Sequence, residues 1–353
     1  MTFQGGDSDY EVIGGGVIDD RRPHRAGTEA GPAAAHDDES PAHPRSPVGA
    51  AARAAWSDVV ASLGSWRYWT ACVLGIAAAG ALTAALVGFG AANGWFETGL
   101  WDAVYLLLGA WLVLVAAAHG AVRGFRRPAS GVLAALFSGL LHGLVLALLS
   151  GVVLAAVGAA TGGPIVLAIA AVVVVTVEVA LFGLIGAGSR ACFRRALPGG
   201  VLVALLLAFL LFGNVVATLA LLPGTSTTAQ ASVPVNVERD ESGRMTAYEC
   251  LGQTRPVEVA HTDRVAWIAA SNPVMVFGST AGEFVPRNSD FAWILAGLQW
   301  AADGPQRDVP CLGGESSDSL PPTVPVAVTG LALQGAVAAL VVIPGRMRLR
   351  RKA

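Results

Sequence analysis

The arginines of this chain fall in alternate gaps between six long apolar stretches, and that spacing leaves few folds open. The stretches run roughly over 69–91, 100–121, 130–158, 164–188, 199–222 and 324–344. Each reaches the ~20 residues a helix needs to cross the hydrocarbon of a bilayer. Arg53 and Arg67 precede the first stretch, and Arg123, Arg126 and Arg127 follow the second. Arg190, Arg194 and Arg195 follow the fourth, and Arg346, Arg348, Arg350, Arg351 and Lys352 follow the sixth. The gaps at 93–98 and 158–163 hold no basic residue. Basic flanks stay on the cytoplasmic side of a membrane. The pattern predicts an all-α membrane protein with six transmembrane helices, both termini cytoplasmic and one large extracytoplasmic loop between helices 5 and 6. It places the chain in the plasma membrane as a multi-pass protein, with the lipid bilayer as its first partner.

Composition points the same way. Apolar residues make up 54% of the chain and charged residues 14%, against about 25% charged in soluble domains. The net charge of −2 hides a segregation: the first 50 residues and the long outer segment are acidic, while the short inner gaps are basic. The basic stubs are explained by topology, so no nucleic-acid surface is expected. The first apolar run begins too late for a cleavable signal peptide and reads as a signal anchor.

The chain divides accordingly. Residues 1–50, rich in Gly, Pro, Asp, His and Ala, predict a disordered cytoplasmic tail. His24, His36 and His43 within it lack metal-ligand spacing. Over 51–68, Trp56, Val59, Val60, Leu63 and Trp66 recur at helical spacing, which predicts an amphipathic helix lying on the inner leaflet. Transmembrane helices 1–5 fill 69–222. Residues 223–323 form an extracytoplasmic segment with a strand at Ala231–Val237. Its apolar piece Phe291–Trp300 is too short to span and rests on the membrane face or the bundle. Helix 6 takes 324–344, and a basic cytoplasmic tail takes 345–353.

Candidate chemistry is sparse. The chain holds no G-x-S-x-G, no H-E-x-x-H and no Walker A motif, so neither an enzyme nor a direct ATP hydrolase is expected. No catalytic, cofactor-binding or metal-ligating residue is assigned. Glu178 midway along the fourth stretch and His142 near the middle of the third are the ionisable residues deepest in the apolar blocks. Such residues cost about 2.5–3.5 kcal/mol on insertion scales and face the bundle interior. With Asn214 they are candidates for a translocation path, or for a proton relay through Glu178 and His142; alternatively, Glu178 and His142 form one polar pair that locks helix packing, or Glu178 is simply protonated. Asp102 is read as interfacial, and Asn214 and Gln334 as hydrogen bonders between helices. Gly139-Leu-Leu-His-Gly143 has G-x-x-x-G spacing, a weak signal in a chain with 43 glycines. Cys250 and Cys311 both fall in the outer segment, where disulfides form, and are a candidate pair. Cys72 and Cys192 are expected to be reduced.

A resemblance enters on particular residues. Tyr248-Glu-Cys250, His261-Thr-Asp-Arg-Val-Ala-Trp-Ile-Ala-Ala-Ser-Asn-Pro-Val274, Leu320-Pro-Pro322 and the basic C-terminal end resemble permeases of ABC-2-type transporters of the actinobacterial kind. The block Gly183-Leu-Ile-Gly-Ala-Gly188, the arginine-rich turn after it, and Leu206-Leu-Ala-Phe-Leu-Leu-Phe-Gly-Asn214 are similar too. The likeness covers about the C-terminal half. It implies a permease subunit that exports an unidentified substrate, with an ABC ATPase subunit and a second permease copy or homologue as partners. ATP would then be used only through that partner. Arg123, Phe125, Arg126 and Arg127 form the candidate ATPase-docking loop. The chain departs from the family's pattern where an acidic Glu-Arg-Glu-x-Gly-Thr-like stretch would follow the second helix; here the gap is only 122–130. The doubled tryptophan of the outer run is Ala266-Trp267. The alternative class is a membrane scaffold whose outer segment binds a cell-envelope partner.

Overall fold

The computed structural model describes residues 46–95, 100–128, 131–239, 245–285, 292–316 and 324–350. The expected tail up to residue 45, Phe291, Leu320-Pro-Pro322 and the last three residues lie outside the described residues. Among the described residues six helices are long and apolar enough to cross a membrane: Trp66–Ala92, Leu100–Arg126, Val132–Thr161, Ile165–Ala191, Ala196–Thr225 and Val326–Arg348. The arginine stubs collect at one end of this bundle, called the basic end below.

In chain order, α1 spans Pro47–Leu63, α2 Trp66–Ala92, α3 Leu100–Arg126, α4 Val132–Thr161 and α5 Ile165–Ala191. The fifth span is α6 (Ala196–Ala208), a π-helical turn at Phe209–Gly213, and α7 (Asn214–Leu221), closed by a 3-10 turn. The sixth is α12, Val326–Arg350. Gly162 stops α4 with φ +80, a left-handed conformation that suits glycine. The buried Tyr105 donates its hydroxyl proton to the Pro164 carbonyl and fixes the turn into α5.

Helix α5 is the centre of the bundle. It packs on α3, α4 and α12, and more of it is buried than of any other span. Small residues permit this. A methyl group at Gly120 of α3 would meet the Val179 carbonyl oxygen at 2.5 Å, and one at Gly124 would overlap the Gly183 backbone. On α4, a methyl at Gly139 would lie 2.8 Å from the Ala180 Cα, and one at Gly143 would lie 2.6 Å from the Thr176 oxygen. The Gly139–Gly143 spacing is thus a contact line between α4 and α5, as small residues are in close helix crossings.

The fold is not purely helical. Residues Ser226–Arg239 (β1) and Met245–Ala260 (β2) form a two-stranded antiparallel hairpin, longer than the single strand expected at 231–237. Alternating β-branched residues such as Val233, Val235 and Val237 favour extended backbone, and Pro234 and Pro256 are tolerated because each strand of a two-stranded sheet is an edge.

The segment between the fifth and sixth spans does not all stand outside the bundle. Helices α8 (Asp263–Ala270) and α9 (Pro273–Gly282) form a helix–turn–helix whose apolar side packs on α3, α5, α7 and α12. Val265, Ala269, Ala270, Val276, Phe277 and Ala281 are buried there. Gly330 of α12 and Gly109 of α3 make room: a methyl at Gly330 would overlap the Ala270 carbonyl, and one at Gly109 would lie 2.9 Å from the Phe277 ring. Helix α10 (Ala292–Asp303) rests on this pair. Thr262 donates to the Ala301 carbonyl at 2.6 Å, and the Gln299 side-chain oxygen accepts from the Val326 N–H at 2.8 Å. Helix α11 is the short Pro305–Asp308.

Candidate functional site

Two buried polar clusters carry what chemistry the bundle has. The first lies at the basic end, where α1 meets α3 and α4. Ser46 caps α1 by accepting the Gly49 N–H, and Pro47 follows at the first helical position. The face of α1 turned to the bundle is Ala55, Val59 and Ser62; of the row expected to lie on the leaflet, Val59 is part of that buried face. Trp56 is 62% exposed and Val60 51%. Trp66 and Tyr68 belong to α2, which starts after a break at Gly64 and Ser65. Asp58 Oδ2 accepts a 2.7 Å bond from Arg123 Nη2 and another 2.7 Å bond from the Ser138 hydroxyl. Arg123 also donates to Ser62 Oγ at 3.2 Å. This partly exposed ion pair and its hydrogen-bond partners hold the Ser62 side of α1 against α3 and α4.

Behind the pair lie two imidazoles. His142 Nδ1 is 2.7 Å from the Ser138 carbonyl oxygen, so the proton sits on Nδ1 and donates. The Tyr68 ring stands edge-on to His142 at 5.6 Å between centroids and to His119 at 6.2 Å. Among the described residues His142 Nε2 and His119 Nε2 have no hydrogen-bond partner. A cavity of about 260 Å³ opens beside the cluster, lined by Ala55, Asp58, Arg123, Arg127, Ser138 and Gly139 among others.

Burial raises the affinity of the Asp58 carboxyl for a proton, but the Ser138 hydroxyl and the Arg123 charge outweigh it and hold the group below its ordinary value. A depressed folded-state pKa means the pairing contributes in full above the ordinary carboxylate range and is lost as pH falls below it. Asp58 is 37% exposed and Arg123 15%, so the pair is screened and contributes about 1 kcal/mol. Asp58→Asn is expected to lower stability by about that amount at neutral pH. Thermal unfolding of both proteins across pH should show the gap closing in acid; a constant gap would mean the charge is irrelevant.

The second cluster lies in the middle of the bundle. The π-helical turn at Phe209–Gly213 disturbs the backbone ladder of the fifth span, and such turns leave carbonyls in need of donors. Asn214 Nδ2 donates to the Leu210 carbonyl at 2.9 Å and to Ser271 Oγ at 3.0 Å. Asn272 Nδ2 donates to the Leu211 carbonyl at 2.8 Å and to Asn214 Oδ1 at 3.1 Å. The same Asn272 caps α9, its Oδ1 accepting from the Val274 N–H, ahead of Pro273 at the first helical position. Gln334 of α12 donates from Nε2 to Glu178 Oε1 at 3.0 Å and to the Ser271 carbonyl at 3.1 Å. The tip of the α8–α9 pair is therefore wired to α5, the π-turn and α12.

Of the candidate path residues, Glu178 and Asn214 share this network, while His142 belongs to the basic-end cluster. The alternative in which His142 and Glu178 form one pair is not the observed arrangement: they sit on the α2-facing and α12-facing sides of the bundle. Asn214 and Gln334 do bond between helices. Arg123 of the candidate docking loop is tied to Asp58, and Phe125 packs beside Gly199 and Gly200 of α6. Arg126 and Arg127 are exposed. Cys250 and Cys311 are joined in a disulfide with Cα atoms 5.5 Å apart. Cys72 and Cys192 are free thiols. Among the described residues no group of three or more His, Cys, Asp or Glu side chains is placed to hold a metal ion.

Sequence reasoning missed Asp58, Ser138 and Tyr68 at the basic end and Ser271 in the middle. The signal for Asp58 was an acidic residue on α1 while the turn after α3 offered several arginines. The fold defines a multi-pass helical membrane protein. No family model, curated protein or solved structure matches the chain.

Proposed function

We propose that the chain is the membrane-spanning permease subunit of an ABC-2-type transporter, exporting its substrate with a separate ATPase subunit and a second six-span copy or homologue. The observation that carries the reading is the helix–turn–helix at 263–282. The run from His261 to Pro273, on which the resemblance rests, builds an element seated between the fifth and sixth spans with buried polar bonds to both. An ornamental outer loop would have no need of those bonds. A displacement of α12 or of the π-turn would carry this element with it, which suits a subunit that changes shape during transport.

The basic end supplies a surface for the stroke. The Asp58–Arg123 pair brings α1 and the turn at 122–128 together, so the two inner surfaces present one face to the cytoplasm. Arg126 and Arg127 are its free cations among the described residues, and they suit an acidic patch on the ATPase.

Affinity purification of the tagged chain from native membranes is expected to bring an ABC ATPase with it, and replacement of 122–130 by a Gly/Ser linker of equal length should abolish that recovery. Recovery undiminished by the replacement would remove the docking role, and absence of any ATPase from the wild-type eluate would favour the scaffold reading. That second reading draws its support from the disulfide-tied hairpin, which exposes Val233 and Leu251.

A further inference from the structure

We propose that Glu178 is a proton-binding site, carrying a proton on Oε2 at the joint where the α8–α9 tip meets α5 and α12. Three observations point to it. Glu178 is fully buried midway along α5, in the most enclosed helix of the bundle. One carboxyl oxygen, Oε1, accepts from Gln334, while Oε2 has no partner among the described residues. The neighbouring Gln334 Oε1 has none either.

An ionised carboxylate in this position would be held by a single amide hydrogen bond. No cation faces it. Helix α4 brings His142, which donates to the Ser138 carbonyl and stands against Tyr68 of α2. Helix α3 brings His119, also against Tyr68, Arg123, which is bonded to Asp58, and Asp102 in its first turn at the far end. Helix α12 brings Arg346 and Arg348 at its basic end, where Arg348 donates to the Cys192 carbonyl. Helices α6, α7 and α9 carry no titratable side chain, and the charged pair Asp263 and Arg264 opens α8 two turns away from its tip.

The unsatisfied atoms are both acceptors, so the site lacks a donor. A metal cation would bring charge but needs a shell of oxygens, six or more for a hard ion. The two unpartnered oxygens fall far short. A proton needs one. Bound on Oε2 it neutralises the carboxyl, removes the cost of a buried charge, and turns a partnerless acceptor into an O–H. The reaction is simple association: hydronium gives its proton to the carboxylate and leaves as water.

The site is also linked to position. Gln334 Nε2 divides its donors between Glu178 and the Ser271 carbonyl at the tip. A tip withdrawn from α12 would free that amide for the carboxylate and favour the ionised form. Proton occupancy and seating of the tip therefore reinforce each other. This linkage stands whether or not an ATPase partners the chain.

The test uses the full chain in phosphatidylcholine vesicles at neutral pH. Infrared spectra should contain a protonated-carboxyl stretching band from a buried acid, absent from Glu178→Gln and shifted to higher frequency in Gln334→Leu, which removes the donor to Oε1. Glu178→Gln mimics the neutral form and should unfold at the wild-type temperature. Identical carboxyl regions in wild type and Glu178→Gln would overturn the proposal. So would sodium or potassium raising the unfolding temperature of wild type but not of Glu178→Gln, since the occupant would then be a metal cation.

Discussion

Leucine in place of Gly124 is expected to prevent stable packing of the bundle. At this point α3 crosses α5 with the two backbones in direct contact: even a methyl group on Gly124 would overlap the Gly183 carbonyl. One turn earlier, Gly120 meets Val179, and across the seam Gly186 meets the backbone of Ala121 and Phe125. The atoms in the way are main-chain atoms of rigid helices, so no side chain can swing aside. The helices must separate, and the contacts of Ala117, Ala121, Phe182 and Ile185 are lost with them. Overpacking costs about 1–3 kcal/mol where side chains can adjust, and here they cannot. Gly124→Leu should unfold at a much lower temperature in detergent or elute as aggregate on size exclusion. Gly88→Leu is the control, because Gly88 of α2 is exposed with nothing within 4 Å of its added Cβ. Equal behaviour of the two variants would sink the claim that the α3–α5 crossing is the structural centre.

The spans were legible because span length and arginine placement are properties of single segments. The apolar block at 69–91 falls inside α2, and the block at 164–188 lies in α5 apart from Pro164, which precedes its first turn. The polar wiring was harder to see. Glu178 and Gln334 could be picked out as polar residues in apolar surroundings, yet nothing in the order of residues says that Gln334 bonds Glu178 across 156 positions. Asn272-Pro273 announces a helix start, since Asn caps and Pro suits the first turn. It does not announce that the short helices on either side are buried among longer ones, because α8 and α9 have 8 and 10 residues, too few to read as membrane elements by length. The π-turn was invisible, for Phe209–Gly213 is as apolar as any ordinary stretch of the span. On α1, the tryptophans drew attention to the exposed face, whereas the side toward the bundle carries an ion pair from Asp58, whose partner lies 65 residues away. Local pattern reports local structure; long-range polar pairing has to be seen.

Loss of the Cys250–Cys311 bond should loosen one region and leave the spans intact. The bond ties β2 to the segment after α11 across 61 residues. On the other strand, Ser232 donates its N–H to the Cys311 carbonyl, Gly313 donates to the Gln230 carbonyl, and Ala231 pairs with Leu312. Among the described residues the hairpin has little support outside these contacts, and a two-stranded sheet is marginal alone. A cross-link closing a loop of this length contributes about 2–4 kcal/mol. Cys311→Ser should therefore raise amide exchange across 226–260 by orders of magnitude while protection in α3, α4 and α5 stays at wild-type levels. Uniform exchange in both proteins would mean the hairpin is held by something other than the bond. The same cysteines read out orientation. In intact cells, a membrane-impermeant maleimide should label Cys250 and Cys311 only after an impermeant reductant has opened them, and should reach Cys192 only after permeabilisation. Labelling of Cys192 in untreated cells would invert the assignment of the basic end. The surface of α1 and the 122–128 turn would then face away from any cytoplasmic ATPase, and the transporter proposal would fall with it.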